Sequence, residues 1–281
     1  MSFPPESDER RARRARRRRR RREQRRRAAQ LLPQLLTTGN LAAGFYSITL
    51  SFKGDSDRAA LAIVFAALFD ALDGRVARLT RSTSRFGMEY DSIADTASFG
   101  VAPAILAYSA GSLQLLGWTG WVLAFLYTAC AALRLARYNV TPGRYAGRFD
   151  GLASPAAAGM VLSAVWFAGF LRESGLAFDI PAPIAGLGVA AVGLLMVSPI
   201  PYRSFKNVRL GGSFSTLVLA VLGLVVLLTK PSVTFFVAGL AYVASGPLEA
   251  LWRWRTGRPL ELRAGEPAPP APEGAGGAAH E

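Results

Sequence analysis

From Leu31 to about residue 256 the chain is a succession of apolar stretches, each close to the roughly 20 residues a helix needs to cross a bilayer. They fall at about 33–52, 59–79, 89–110, 113–136, 152–171, 181–200, 213–229 and 232–252. A soluble domain does not sustain such runs alongside 51% hydrophobic residues and a mean hydropathy of +0.24. The expected fold class is therefore an all-α polytopic membrane protein of about eight transmembrane helices.

Charge orders these helices. Residues 1–27 hold 14 Arg against Glu6, Asp8, Glu9 and Glu23, whereas the whole chain has a net charge of +14. With that segment in the cytoplasm, the inner connections carry Arg81 and Arg85, then Arg144 and Arg148, then Arg203, Lys206 and Arg209. The outer connections hold only Lys53 and Arg58, Arg172, and Lys230. Alternation through all eight spans satisfies the positive-inside rule and places both termini in the cytoplasm. Three regions follow: a disordered Arg-rich tail (1–30), a membrane domain (31–256) and a disordered Pro/Gly/Ala-rich tail (257–281). The basic tail suits anionic lipid, about 1 kcal/mol per basic residue near such a surface. It has no aromatic or folded support for nucleic acid, and none is expected as a partner.

Cys130 is the only cysteine and His280, in the C-terminal tail, the only histidine. Intrachain disulfides, thiolate metal clusters and histidine-based catalysis are excluded. Chemistry must run on carboxylates, guanidinium groups, hydroxyls and oxygen-ligated metals. The carboxylates stand out: Asp70, Asp73, Asp91 and Asp95 interrupt apolar sequence on the inner halves of two successive helices. Spacings of three and four put each pair on one helix face, and a short inner loop makes the helices neighbours. Each such Asp costs about 2.5–3.5 kcal/mol at a helix centre. Pairing with Arg75, Arg78, Arg81 and Arg85 is one compensation. A divalent cation is a better one, because Mg²⁺ accepts carboxylate oxygens and keeps positions open for phosphate. Four carboxylates can hold two such ions about 3.5–4 Å apart for displacement at phosphorus. A cation-coupled transporter would also use intramembrane carboxylates. Small Gly74, Ala77, Gly87 and Ala94, with donors from Arg78 and Ser84, favour a phosphate-bearing ligand instead.

Asp70-x-x-Asp73-Gly74-x-x-Ala77-Arg78-x₈-Gly87-x₃-Asp91-x₃-Asp95 resembles the complete signature of the CDP-alcohol phosphotransferase family. The resemblance implies a helical membrane enzyme with two divalent cations, Mg²⁺ or Mn²⁺, that displaces CMP from a CDP-linked lipid with an alcohol. It implies one metal on Asp70, Asp73 and Asp91 and a second on Asp70, Asp91 and Asp95, with Asp95 also the general base. It implies CDP contacts from Gly74, Arg78 and Ser84. Pro33-Gln34-Leu35-Leu36-Thr37 resembles the family's P-N/D-x-x-T nucleotide contact, adding Gln34 and Thr37. Gln34 stands where the family has Asn or Asp, keeping the amide on a longer stem.

The flanks LLTTGNLAAGF (35–45), DTASFGVAPA (95–104), ALRLARYNV (132–140), FDGLASPAAA (149–158) and SPIPYRSFK (198–206) resemble the phosphatidylserine synthase branch of that family. CDP-diacylglycerol and L-serine are the substrates this implies; glycerol 3-phosphate and inositol phosphate are the alternative acceptors. Arg134 and Arg137, three apart, with Asn139 following, can take an acceptor's carboxylate in a guanidinium fork. Simple anchoring at the membrane face remains the other reading, and Arg203, Ser204 and Lys206 are further candidates. The expected setting is the inner membrane with the active site facing the cytoplasm. Gly/Ala-rich helices and the resemblance point to a homodimer.

Overall fold

The computed structural model describes residues 31–80, 84–110, 113–140, 148–175, 180–203 and 230–256, together with Arg16. The rest of both tails, the expected span at 213–229, and Ser204 and Lys206 lie outside the described residues. The other seven apolar stretches are all helical. Helix α1 covers 31–52 and α2 Ser56–Thr80. A turn at Lys53–Asp55 joins them, with the Asp55 carboxylate accepting from the Arg58 N–H at 3.2 Å as a cap for α2. Helix α3 (Arg85–Asp95) runs into a π-helical turn (Thr96–Val101) and then α4 (Ala102–Ala110). A short 3₁₀ turn, Leu113–Leu116, leads into α5 (Trp118–Val140). Helices α6 (Ser154–Glu173), α7 (Ala182–Val197) and α8 (Pro231–Thr256) complete the bundle.

The protein is a helical membrane protein. Helices α5, α6 and α8 are long and apolar enough to cross a bilayer, and α7 is a shorter apolar helix. Their surfaces carry exposed Phe125, Leu187, Leu194, Val237 and Leu248, which in water would be unfavourable and in lipid are not.

Helix α6 partitions the interior. Ala157, Met160 and Val161 join one cluster with Tyr127, Val192, Met196 and Val243 from α5, α7 and α8. Ala158, Leu162 and Val165 join another with Leu50, Ile63, Ala66, Phe99 and Leu106 from α1, α2 and the α3–α4 rod. Among the described residues one strand pairing departs from an all-helical chain: Arg148–Asp150 (β1) pairs antiparallel with Pro201–Arg203 (β2). Gly151 leaves this ribbon at φ 80°, and a Cβ there would strike the Met196 carbonyl. Both strands lie in segments that read as helix-end loops, and three-residue pairings carry too little periodicity to be seen in sequence.

Two helical prolines are handled in the same way. Pro103 has no N–H for the Phe99 carbonyl four residues earlier, and the buried Tyr127 hydroxyl donates to it at 3.1 Å. Pro247 leaves the Val243 carbonyl without a helical donor, and the buried Tyr202 hydroxyl donates there at 2.9 Å. Without water in a bilayer core, such carbonyls must find partners inside the protein. Tyr202 also occupies the space where a Cβ on Gly246 would be, so ribbon and α8 are locked together. Tyr127→Phe and Tyr202→Phe should each lower stability by about 1–3 kcal/mol, the penalty of a buried unpaired carbonyl. Thermal midpoints of the detergent-solubilised proteins would measure it; unchanged midpoints would mean the carbonyls find other donors.

Candidate active site

One end of the bundle gathers the polar side chains. Asp70 and Asp73 lie on the last turns of α2, Asp91 and Asp95 on α3. Helix α3 is started by Ser84, whose hydroxyl accepts from the Gly87 N–H at 3.0 Å. Helix α1 crosses both. The Thr37 hydroxyl donates to Asp73 Oδ2 at 2.9 Å, and the Asn40 amide donates to Asp95 Oδ1 at 2.9 Å. Thr37 and Asn40 are three apart and so share a helix face. One face of α1 therefore holds one carboxylate from each partner helix.

Asp70, Asp91 and Asp95 each bring a carboxylate oxygen within 4.8 Å of the others. Asp73 lies beside this trio, buried and tied to Thr37. Among the described residues, Asp73, Asp91 and Asp95 have no ion pair with arginine. Asp91 Oδ1 is buried with no hydrogen-bond partner. Converging carboxylates with an orphaned oxygen and hard, all-oxygen donors fit a divalent cation of the Mg²⁺ or Mn²⁺ type.

Next to the trio is a cavity of about 190 Å³. All five residues expected to contact CDP line it: Gln34 and Thr37 from α1, Gly74 and Arg78 from α2, and Ser84 ahead of α3. Asp73 and Asp91 form part of its wall, so cavity and carboxylates are continuous. At Gly74 a Cβ would meet only the Arg78 guanidinium, at 3.5 Å, so the absent side chain keeps the α2 backbone open to the cavity.

The three acceptor candidates go different ways. Arg137 donates to the Val197 carbonyl at 2.9 Å and the Asp150 carbonyl at 3.0 Å, stapling the end of α5 to α7 and the ribbon. Asn139 donates to Ser92 Oγ at 2.9 Å. Arg134 is 8% exposed and, among the described residues, holds only Ser154 Oγ at 3.3 Å and leaves its buried Nε without a partner. Arg134 and Arg137 thus have different partners, a serine hydroxyl for one and two main-chain carbonyls for the other.

Sequence reasoning passed over Asn40, Ser98 and Ser154. The three-residue step from Thr37 to Asn40 was a usable signal for the first. Ser98 donates to the Asn40 main-chain carbonyl at 3.0 Å from within the π turn, and nothing in the sequence marks that turn. Tyr90 reads as an interfacial residue off the aspartate face; its hydroxyl lies 3.0 Å from Thr38 Oγ1, adding a tie between α3 and α1.

The profile of the CDP-alcohol phosphatidyltransferase family matches residues 30–247, most of the chain and all four aspartates. The chain belongs to this family. Its similar relatives include a CDP-diacylglycerol–serine O-phosphatidyltransferase of Mycobacterium tuberculosis H37Rv, 33% identical over 78% of this chain and 77% of the relative. One of the same description from Helicobacter pylori 26695 is 36% identical over 69% and 81%. An archaetidylserine synthase of Methanothermobacter thermautotrophicus is 39% identical over 61% and 69%. A nucleotide in the cavity beside the carboxylates is an expectation that thermal stability can test. CDP with Mg²⁺ should raise the thermal midpoint of the protein. Gly74→Leu, which fills the cavity from α2, should abolish that rise while leaving the unliganded midpoint within a few degrees. A full CDP response in Gly74→Leu would place the nucleotide elsewhere.

Proposed function

We propose that the protein transfers the phosphatidyl group of CDP-diacylglycerol to the hydroxyl of L-serine, releasing phosphatidylserine and CMP. The observation that carries this reading is the continuity of the carboxylate trio with a cavity lined by Gln34, Thr37, Gly74, Arg78 and Ser84. It occurs in a chain that is similar over 78% and 69% of its length to two serine phosphatidyltransferases. Asp70, Asp73, Asp91 and Asp95 are the residues to hold two divalent cations, Mg²⁺ or Mn²⁺. When bound, these supply positive charge to the diphosphate and to the departing CMP.

Each remaining step belongs to the chain. Arg78 and the Ser84 hydroxyl offer donors to the CDP moiety, and Gly74 lets it approach the α2 backbone. Thr37 fixes Asp73 at the cavity wall. Asp95 has one carboxylate oxygen held by Asn40; the other, Oδ2, accepts the serine hydroxyl proton. As that hydroxyl oxygen bonds to the phosphorus of the phosphatidyl group, the bond from phosphorus to the CMP oxygen breaks and CMP leaves with the electron pair. General-base help of this kind is worth about 10²–10⁴-fold. Arg134, buried and lacking a carboxylate partner, is the residue suited to the serine carboxylate. Arg137 and Asn139 brace this wall through the ribbon, α7 and α3.

The membrane arrangement follows from charge. The carboxylates share their end of the bundle with Arg75, Arg78, Arg85, Arg134 and Arg137, and the positive-inside rule turns that end to the cytoplasm. In this reading the enzyme spans the inner membrane eight times with both termini cytoplasmic and works as a homodimer. Its Arg-rich tail lies on anionic lipid, and the acyl chains of the substrate stay in the bilayer.

The test is CMP release from CDP-diacylglycerol in nanodiscs with Mg²⁺ and serine, glycerol 3-phosphate, inositol 1-phosphate or no acceptor. Release should require serine and stop on chelation of the metal. Arg134→Met should raise the serine KM by about tenfold or more, since a charged hydrogen bond is worth roughly 1.5–3 kcal/mol. The KM for CDP-diacylglycerol should hold. Release driven by another acceptor would keep the family chemistry and overturn serine.

A further inference from the structure

Asn40 belongs to none of the metal, nucleotide or acceptor sets described above, yet it is fully buried in contact with Asp95. A carboxylate only accepts hydrogen bonds, so the group it faces must be the amide nitrogen. That choice leaves Asn40 Oδ1 buried without a partner among the described residues. A side chain placed for its own stability would not sit this way, because a buried unpaired carbonyl is destabilising.

The surroundings hold the amide there. The Ser98 hydroxyl donates to the Asn40 main-chain carbonyl at 3.0 Å. One turn along α1, Gly44 lies against Ser98, and a Cβ on Gly44 would overlap the Ser98 hydroxyl and Cα. Helix α1 is thus seated directly on the π turn, which begins at the residue after Asp95. A π turn inserts one extra residue into a helix, and such insertions recur at functional sites. Here it carries Ser98 to the α1 backbone while Asp95 faces the amide of the same residue.

We propose that Asn40 is a positioning residue for phosphatidyl transfer: held by Ser98 and the Gly44 contact, it fixes one oxygen of Asp95 so that the other is presented to the reacting hydroxyl. The inference rests on the reading of Asp95 as proton acceptor and metal ligand. It adds a helix α1 partner whose loss lets that carboxylate turn about its χ2 bond while the cavity stays intact.

Full-length protein in nanodiscs, as Asn40→Leu, Asn40→Asp and Ser98→Ala, provides the test. Both Asn40 substitutions should lower kcat by about 10–100-fold, the usual effect of losing a group that orients a ligand. The KM for CDP-diacylglycerol should stay within about threefold, because cavity contacts are untouched. Asn40→Leu should keep its thermal midpoint within a few degrees, since it removes an unpaired carbonyl along with the donor. Ser98→Ala should instead lower the midpoint with a smaller loss of kcat. With Mn²⁺ as the probe, the electron paramagnetic resonance line shape should change in both Asn40 variants while Mn²⁺ remains bound through Asp70 and Asp91. If Asn40→Leu keeps its kcat, or loses activity only in step with a lower midpoint, Asn40 is a packing residue and the proposal fails. If the parent releases no CMP with any acceptor, the reaction reading fails. The Mn²⁺ spectrum then decides alone: a line shape unchanged by Asn40→Leu overturns the positioning role, and a changed one sustains it.

Discussion

Carboxylates brought together inside an apolar bundle repel one another and lose hydration, and the rest of this structure is organised around that problem. Arg75 and Arg78 lie on the α2 turns that carry Asp70 and Asp73, and Arg85 opens α3. Yet Asp73, Asp91 and Asp95 are met instead by a hydroxyl, by nothing at Oδ1, and by an amide. Neutral donors orient a carboxylate without cancelling its charge. Among the described residues Asp73, Asp91 and Asp95 therefore keep their negative potential beside a trio of carboxylate oxygens within 4.8 Å, an arrangement that could hold a cation. Arg134 is the complementary case: among the described residues this buried guanidinium on α5 holds a serine hydroxyl and no carboxylate.

Orientation on that scale needs a rigid frame, and the frame is made by satisfying broken helices. Pro103 and Pro247 interrupt two helices, and Tyr127 and Tyr202 close the gaps from neighbouring elements. The first tie lies in the α3–α4 rod within a few residues of Asp95. The second fastens α8 to the ribbon that Arg137 also grips. Helix α6, shared by both apolar clusters, connects the α1–α4 half carrying the aspartates to the α5–α8 half carrying Arg134. The aspartates and Arg134 are thus held on one connected frame.

Much of this was legible before any coordinates. Apolar length set the helices, and the spacing of Asp70, Asp73, Asp91 and Asp95 set which faces meet, because helical periodicity converts sequence separation directly into angle. The cavity residues Gly74, Arg78 and Ser84 were readable for the same reason, lying on α2 or at the start of α3, the two helices that carry the carboxylates. What escaped depends on contacts between distant segments. Asn40 and Asp95 are 55 residues apart, and the π turn that seats Ser98 on α1 has no composition of its own. Arg134 and Arg137 were equivalent by spacing, but only packing reveals that one is consumed by two carbonyls and the other is not.

The central claim is that the trio is a metal site and not an internal charge network. Anomalous scattering from crystals grown with Mn²⁺ tests it most directly. The account predicts density bounded by Asp70, Asp91 and Asp95, at the edge of the cavity lined by Thr37, Gly74 and Arg78. Saturating Mn²⁺ with no density there, and with Asp91 and Asp95 turned onto Arg75, Arg78 or Arg85, would contradict it.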